Sequence, residues 1–391
     1  MPRFPQYSPA VAGIPGSVYS TLAHRLATFE GETYPLHVGD TWLEPPEGCR
    51  MEDLRTADYP GLHRYAPPHG LPALVEAVAE QVAARTGVPT TPNEVLMATG
   101  ATGALGAVAG ALLAPGDEVL ILAPYWPLIA GIVRSFHATP VPVPYLGAVS
   151  NAVGAVEAVT AHRTPATVAL YLNTPNNPTG RVIPRDQVEA LADWGRAEGL
   201  WLIADEVYED YCYRGEHVYL RSLAPERTFA AYSFSKAYGM AGNRIGYAVG
   251  PAEAMDQVRK VSTHTFYSAP TAGQVAALRL LEGRGEPWLS TTRERYRELG
   301  AAAARRLGLP APEGSTFLFL DVADRLDERG LLGFLEDCVE RGLFLAPGPS
   351  FGPYPTSVRL CFTSAEPEVV ARGVEVLARM LGRFPPQEVT V

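Results

Sequence analysis

The 391-residue sequence has only four cysteines and lacks any long apolar run. The cysteines are scattered without C-x-x-C spacing, which argues against a disulfide framework and against a zinc site. No apolar run approaches the roughly 18–20 residues that cross a bilayer. The opening residues, MPRFPQYSPAVAGIPG, lack the charged and then apolar regions of a secretory signal. We therefore expect a cytoplasmic protein with no membrane partner and no metal site.

Basic residues are scarce as well. Lys and Arg total 32 against 42 Asp and Glu, so the formal net charge is −10, which disfavours binding to nucleic acid. Only two of the basic residues are lysines, Lys236 and Lys260. Because arginine forms no Schiff base, any chemistry that requires a lysine has two candidates in this chain.

The residues that are abundant predict a folded α/β protein. Hydrophobic residues make up 47% of the chain and charged residues 19%, enough to bury a large core and to exclude wholesale disorder. Short β-rich runs end in polar residues at VLMATG, EVLILAP, VALYLN and LWLIADE, and helical patterns cover 72–86 and about 185–198. This alternation predicts a mostly parallel sheet with helices on both faces.

The last hundred or so residues have a different pattern. A charged amphipathic helix covers about 286–308, and beyond it the strands STFLFLDV and SVRLCFT alternate with helices near 328–341 and 366–382. We predict a three-layer αβα large domain over 41–289 and a smaller α+β domain over 290–391. The amino-terminal segment, 1–40, is predicted to pack with the small domain.

Ligands of an open α/β sheet bind at the carboxyl ends of its strands, so the polar residues there are the candidates for a site. Ala101 and Thr102 follow the first strand and leave room for a phosphate near the N–H groups of a helix. Tight packing of that helix on the sheet explains these small residues equally well. Asn177 lies in the loop NTPNNPTG, which turn formation alone would also explain.

Two further strand ends carry ionisable residues in apolar surroundings. Asp205 closes the strand LWLIAD, an unfavourable place for a carboxylate without a cationic partner, and Tyr208 follows it. Lys236 lies in SFSKAYG between apolar strands, whereas Lys260 in MDQVRKVST is typical of a solvated helix position. A desolvated lysine has a lowered pKa and is nucleophilic, so Lys236 is the candidate for lysine chemistry.

Together these residues resemble the class I/II aminotransferases of fold type I, the pyridoxal 5′-phosphate (PLP) enzymes of the aspartate aminotransferase superfamily. The resemblance runs from about Gly39 to Arg359, nearly the whole chain. The resemblance depends on the order and spacing of the matching residues, which are Tyr65, Gly100-Ala101-Thr102, Tyr125-Trp126, Asn177-Pro178-Thr179-Gly180, Asp205-x-x-Tyr208, Ser233-x-x-Lys236, Arg244 and Arg359.

The resemblance implies catalytic roles for three residues. Lys236 would form a Schiff base with PLP and then move the proton between the substrate Cα and the cofactor. Asp205 would keep the pyridine nitrogen protonated, so that the ring withdraws electrons. Tyr208, together with Asn177, would donate hydrogen bonds to the 3′-oxygen of the ring.

The resemblance also implies how the cofactor is held. The helix N–H groups at Ala101 and Thr102, with Ser233 and Arg244, would bind the phosphate. Trp126 would stack on the ring, with the adjacent tyrosine as the weaker candidate.

Substrate binding and assembly follow from the same resemblance. Arg359 would bind the substrate α-carboxylate through a bidentate fork, beside Asn177, and Gly39 would let the backbone close over that carboxylate. Tyr65 would reach the phosphate in a neighbouring subunit, which predicts a homodimer with a shared active site. The implied activity is transfer of an amino group between an amino acid and a 2-oxo acid by a ping-pong route.

One segment departs from the family pattern. Members specific for dicarboxylic acids often carry an arginine near the segment THTFYSAPT, where this chain has His264. A neutral histidine is a poor fixed countercharge. Tyr19, Trp42 and Phe266 are predicted to add apolar or aromatic lining. We therefore expect an aromatic or other neutral amino donor.

Three other functions compete with amino-group transfer. GPSFG matches the nucleophile elbow of serine hydrolases at Ser350, but Pro353 and Pro355 follow, and a helix does not continue through such a pair. A PLP-binding regulatory protein would usually carry a DNA-binding domain, and no basic helix is found for one. PLP-dependent elimination, ring closure or decarboxylation would use the same lysine, and the sequence leaves this alternative open.

Overall fold

The computed structural model describes residue 4, residues 6–16 and residues 22–383. The helices are α1 (Pro9–Ala12), α2 (Pro72–Thr86), α3 (Gly100–Leu112), α4 (Pro127–Ser135), α5 (Ala152–His162), α6 (Arg185–Ala197), α7 (Leu220–Leu223), α8 (Phe234–Ala237), α9 (Ala252–Thr265), α10 (Thr271–Arg279), α11 (Gly285–Arg306), α12 (Gly330–Val339) and α13 (Pro367–Met380). The strands are β1 (Tyr34–Pro35), β2 (Val95–Ala98), β3 (Glu118–Ala123), β4 (Thr139–Pro144), β5 (Thr167–Asn173), β6 (Trp201–Asp205), β7 (Thr228–Ser233), β8 (Gly246–Val249), β9 (Phe317–Asp321), β10 (Leu343–Phe344), β11 (Ala346–Pro347) and β12 (Ser357–Cys361).

Within the described residues, the largest sheet has seven strands in the order β2-β8-β7-β6-β5-β3-β4. The neighbours from β7 to β4 run parallel, and β8 is antiparallel to both β2 and β7. Buried residues of α2, α5 and α6 pack on one face of this sheet, and those of α3, α4 and α9 pack on the other. The predicted α/β fold, a mostly parallel sheet between two helical layers, is confirmed.

Strand β4 was not predicted, because its sequence, TPVPVP, has three prolines. Proline cannot donate to a strand ladder, so it is confined to edge strands and bulges. The position of β4 at the edge, beside β3, removes that conflict.

The carboxyl-terminal part forms a second, smaller sheet. Strands β11, β12 and β9 pair antiparallel in that order; α11 contacts β9, and α12 and α13 contact β10. Strand β1 pairs with β10, whereas Ile14 lies next to Gly131 of α4 in the larger unit. The predicted boundary at residue 290 falls inside α11, and the division into domains stays a prediction.

The sheet places two predicted site residues, Asp205 and Ser233, at one edge, together with Asn173, which was not predicted. Asn173, at the end of β5, is in register with Asp205, at the end of β6. The neighbouring β7 ends at Ser233. Because these strands are parallel, their carboxyl ends meet, and the loops that follow them share one region.

Among the described residues, no helix is long and apolar enough to cross a membrane.

Gly180 and Gly87 allow a stability test of the loop after β5. Both have left-handed backbone, with φ of 69° and 70°. A Cβ on Gly180 would lie 2.6 Å from the Phe317 carbonyl oxygen, whereas a Cβ on Gly87 would meet nothing within 4 Å. We expect Gly87→Ala to lower the unfolding free energy by about 1 kcal/mol through backbone strain, and Gly180→Ala by about 3 kcal/mol or more. Urea unfolding measures both, and equal losses would contradict the steric argument.

Candidate active site

A cavity with an empty volume of about 650 Å³ lies at the carboxyl edge of the large sheet. Its lining brings together the predicted cofactor residues of this chain apart from Tyr65. It consists of Ala101, Thr102, Leu105, Trp126, Leu128, Asn173, Asn177, Asp205, Val207, Tyr208, Ser233, Ser235, Lys236 and Arg244.

Lys236 lies on the one-turn helix α8, which directly follows β7. Its side chain is half-buried, and its Nζ donates a hydrogen bond to the Gly39 carbonyl. Burial lowers the pKa of the Lys236 amine below its ordinary value, and the Asp40 carboxylate opposes this shift. The guanidinium groups of Arg359 and Arg244 lower this pKa further. A lowered pKa favours the neutral, nucleophilic amine.

Asp205 is buried, and its two carboxylate oxygens have different surroundings. Oδ2 accepts a 2.6 Å hydrogen bond from the Tyr171 hydroxyl. Oδ1 is buried without a hydrogen-bond partner among the described residues. Burial raises the pKa of the Asp205 carboxyl to about 6, against the hydrogen bonds from Tyr171 and the Val207 backbone. The site therefore contains a carboxylate oxygen that a cationic N–H group can satisfy.

The loop after β5 is held in place by hydrogen bonds within the loop and to two other segments. The Asn173 amide donates 2.8 Å to the Asp205 carbonyl, and its oxygen accepts 2.7 Å from the Asn177 backbone N–H. The Ser315 hydroxyl donates 2.9 Å to the Asn176 carbonyl. These bonds fix Asn177, which is buried and lines the cavity.

Arg359 lies on β12, fully buried beside the cavity rather than in its lining. Its Nη1 donates 2.9 Å to Asn177 Oδ1, and its Nη2 donates 2.6 Å to the His37 carbonyl. The rings of Phe317 and Phe351 lie 4.3 Å and 4.8 Å from its Cζ. These aromatic faces and oxygen acceptors stabilise a buried cation.

An anion can bind where α3 begins. The N–H groups of Ala101 and Thr102 belong to the first turn of this helix, which has no acceptors for them within the helix. Arg244 lies next to this turn, because a Cβ on Gly100 would be 2.7 Å from its Nη2. The glycine therefore allows the guanidinium to approach the helix terminus, and the two together attract a phosphate.

Trp126 and two serines complete the lining. Trp126 immediately precedes α4 and is half-buried, whereas Tyr125 is buried outside the cavity lining. Ser233 is the N-cap residue of α8, and its hydroxyl accepts a 3.1 Å hydrogen bond from the Ser235 N–H. Both serine side chains line the cavity.

Several predicted residues lie elsewhere. Tyr65 is 85% exposed and its ring lies 5.2 Å from that of Tyr267; it is predicted to serve a neighbouring subunit, which a single chain does not test. His264 lies in a separate surface depression with Lys260. Lys260 is exposed and donates 3.0 Å to Gln257 Oε1, as expected of a solvated lysine.

Two residues of the predicted additional lining, Trp42 and Phe266, lie outside the cavity within this chain. Trp42 packs against Tyr296, and Phe266 lies near Gly103 of α3; neither lines the cavity. Tyr19 lies outside the described residues. The segment around Ser350 forms a 3₁₀ turn between β11 and β12, not the strand-to-helix elbow of a hydrolase.

Sequence reasoning missed Tyr171, Asn173 and Ser235. Tyr171 and Asn173 are two residues apart on β5 and therefore point to the same face. Polar groups at these positions of an otherwise apolar strand were a usable signal. Leu105, Leu128 and Val207 carried no such signal, because their side chains resemble ordinary core residues.

The residues present fit PLP. Asp205 Oδ1 is a buried acceptor without a partner, suited to a pyridinium N–H. Lys236 is an amine with a lowered pKa, suited to an aldehyde. Arg244 and the start of α3 suit a phosphate dianion. One cavity contains all three.

Comparisons with known proteins point the same way. The family model described as "Aminotransferase class I and II" matches residues 35–377. The aspartate/prephenate aminotransferase of Thermus thermophilus is 35% identical over 355 residues, which cover 89% of this chain and 91% of the relative. An arginine–pyruvate transaminase of Pseudomonas aeruginosa is 33% identical, covering 90% and 91%. A solved Thermus thermophilus aspartate aminotransferase with maleate has a TM-score of 0.87 at 31% identity, covering 96% of this chain and 100% of that one.

The raised pKa of Asp205 predicts a pH-dependent stability in the protein without PLP. Its folded pKa of about 6 exceeds the ordinary 3.8, so the folded state binds the proton more tightly and loses stability as the pH rises from about 4 to 6. We expect Asp205→Asn to remove on the order of 2 kcal/mol of this loss. Urea unfolding at pH 4 and pH 7 compares the two proteins, and identical pH dependence would contradict the raised pKa.

Proposed function

Since the chain belongs to the aminotransferase class I and II family and is a PLP-dependent transferase, we propose that it moves an amino group between an amino acid and a 2-oxo acid by a ping-pong mechanism. One observation carries this proposal. Lys236, one of only two lysines, lines the same cavity as Asp205, and burial lowers the pKa of its amine.

We assign two tasks to Lys236, and both need a neutral amine. It would attach PLP covalently through its amine, and it would accept the proton from the substrate Cα. Desolvation lowers the pKa of this amine and so favours its neutral form. When bound, PLP supplies a conjugated ring that takes up the electron pair left by the Cα proton.

Asp205 and Asn177 would hold the ring of PLP. Asp205 Oδ1 would accept from the pyridine N–H, and the hydrogen bond from Tyr171 to Oδ2 keeps the carboxylate in place. Because Arg359 donates to Asn177 Oδ1, the amide nitrogen of Asn177 would donate to the 3′-oxygen. Tyr208 would donate to the same oxygen.

The phosphate and the substrate carboxylate are bound separately. Ser233, Arg244 and the first turn of α3 would hold the phosphate, and Trp126 would stack on the ring. Arg359 would bind the α-carboxylate, and its Cζ lies 4.3 Å and 4.8 Å from the rings of Phe317 and Phe351. A Cβ on Gly39 would lie 2.7 Å from Phe317, so a glycine lets the backbone close over this carboxylate.

The donor that we propose is an aromatic or other neutral amino acid. Among the described residues, the cations of the cavity lining are Lys236 and Arg244, both assigned to the cofactor, and His264 lies elsewhere. Within the part of the chain that the structure describes, a second substrate carboxylate would meet no cation of the cavity lining other than these two. The names of the relatives, aspartate/prephenate aminotransferases, favour aspartate as the second candidate.

We further propose a cytoplasmic homodimer whose subunits share their active sites. The support is the ring pair of Tyr65 and Tyr267, which are 85% and 45% exposed in the single chain. Large exposed aromatic side chains are typical of protein interfaces. Tyr65 is the residue that we assign to the phosphate of the neighbouring subunit.

A panel of amino donors tests the function. PLP-loaded protein is mixed with phenylalanine, tyrosine, alanine, glutamine, aspartate and arginine, and formation of pyridoxamine phosphate is scored against release of ammonia. We expect pyridoxamine phosphate to form fastest with an aromatic donor. Ammonia release without pyridoxamine phosphate would instead establish a lyase, the alternative on the same scaffold.

The two lysines provide the matched control for this panel. Lys236→Ala is expected to lower kcat by about 10⁴-fold or more, because it removes both the covalent attachment of PLP and the proton acceptor. Lys260→Ala is expected to retain activity, because its side chain is exposed. The reverse result would refute the assignment.

A further inference from the structure

We propose that Tyr211 is a positioning residue that holds the Lys236 segment in register with the other cofactor-binding segments. This inference rests on the proposed function, because it presumes the role given to Lys236. Tyr211 is fully buried and does not line the cavity. Its hydroxyl donates a 2.8 Å hydrogen bond to the carbonyl of Ala237, the residue after Lys236.

That hydrogen bond supports an element with little stability of its own. Helix α8 has a single turn, Phe234–Ala237, and the last carbonyls of any helix lack partners within it. A buried carbonyl that loses its donor is strongly disfavoured. Without the Tyr211 hydroxyl, we expect the helix turn to shift, and the lysine on it to move as well.

The backbone of Tyr211 is bonded to two other segments of the site. Its N–H donates 2.9 Å to the Tyr208 carbonyl, and its carbonyl accepts 2.9 Å from the Ser315 N–H. The Ser315 hydroxyl in turn donates 2.9 Å to Asn176, next to Asn177. One residue therefore connects the segments that carry the lysine, the tyrosine and the asparagine of the proposed site.

The ring of Tyr211 continues this connection toward the lysine amine. It lies 5.0 Å from the ring of Tyr296, whose hydroxyl is hydrogen-bonded to Thr41 Oγ1. Thr41 is two residues after Gly39, whose carbonyl accepts from Lys236 Nζ. The tyrosine pair thus links the backbone of the lysine to the segment that receives its amine.

This arrangement predicts an effect on the reaction more than on substrate affinity. A proton acceptor must lie within hydrogen-bond reach of the Cα proton, and a displacement of about 1 Å costs up to about 100-fold in rate. Arg359, the proposed α-carboxylate site, is held by hydrogen bonds to Asn177 Oδ1 and the His37 carbonyl, whereas the Tyr211 hydroxyl bonds to the backbone after Lys236. We therefore expect kcat to fall while KM changes little.

The test uses Tyr211→Phe, with Tyr145→Phe as the matched control. Tyr145 is also buried, and its hydroxyl donates a single 2.9 Å hydrogen bond, to Gln187 Oε1, outside the cavity. Both changes are made in a Lys260→Arg background, which leaves Lys236 as the sole lysine. Kinetics of the PLP-loaded enzyme give kcat and KM. Acetylation of the PLP-free protein at several pH values, located by mass spectrometry, gives the pH midpoint for Lys236.

Charged and titratable groups on several elements influence that midpoint. They are Asp40, Cys361, Arg359 and Arg244, and both variants keep all of them. A change of midpoint in Tyr211→Phe alone therefore reports on the position and solvation of the amine. We expect the midpoint to rise, because a displaced amine is better solvated.

For Tyr211→Phe we expect kcat to fall by about 10-fold, with KM within about twofold, and for Tyr145→Phe neither kcat nor the midpoint to change. Unchanged kcat and midpoint in Tyr211→Phe, with a loss of stability like that of Tyr145→Phe, would overturn the proposal. If Tyr211→Phe fails to fold, Tyr296→Phe replaces it: a raised midpoint supports the proposal, and an unchanged midpoint overturns it. Because acetylation needs no turnover, it tests positioning even if the parent protein transfers no amino group.

Discussion

Withdrawing a primary amine from water lowers its pKa and favours its neutral, nucleophilic form. In this chain burial lowers the pKa of the Lys236 amine, whereas the Lys260 side chain is exposed. The proposed chemistry of the site depends on this difference between the two lysines. Strand β7 and the one-turn helix α8 bring Lys236 to the cavity, where its amine donates to the Gly39 carbonyl. We propose that the buried Tyr211 and Tyr296 connect α8 with the segment that contains Gly39.

Burial shifts the two ionisable groups at the centre of the site in opposite directions. It lowers the pKa of the Lys236 amine and raises that of the Asp205 carboxyl to about 6, so both are displaced toward their neutral forms. The cationic pyridine ring of PLP would pair with the Asp205 carboxylate, and its anionic phosphate would pair with the Arg244 guanidinium. The same cavity provides a partnerless carboxylate oxygen for the ring, and Arg244 beside the start of α3 for the phosphate. This charge complementarity would explain why the apolar strand β6 ends in the Asp205 carboxylate.

Much of this site was predictable because its residues follow strand ends. Asp205 and Lys236 interrupt apolar surroundings, and the parallel sheet brings their segments together. Strand β4 was missed because its prolines contradict local propensity, and only its edge position removes the conflict. Tyr211 could not be singled out in this way, because the role that we propose for it depends on contacts with Ala237 and Ser315, which are distant in sequence. Long-range hydrogen bonds of this kind leave no periodic pattern in the sequence.

The central claim is that PLP is attached to Lys236. Borohydride reduction of the PLP-loaded protein, followed by proteolysis and mass spectrometry, converts a Schiff base into a stable pyridoxyl-lysine and locates it. The account predicts one pyridoxyl group per chain, on Lys236, with Lys260 unmodified. A pyridoxyl group on Lys260, or none on Lys236 in protein that has bound PLP, would contradict it.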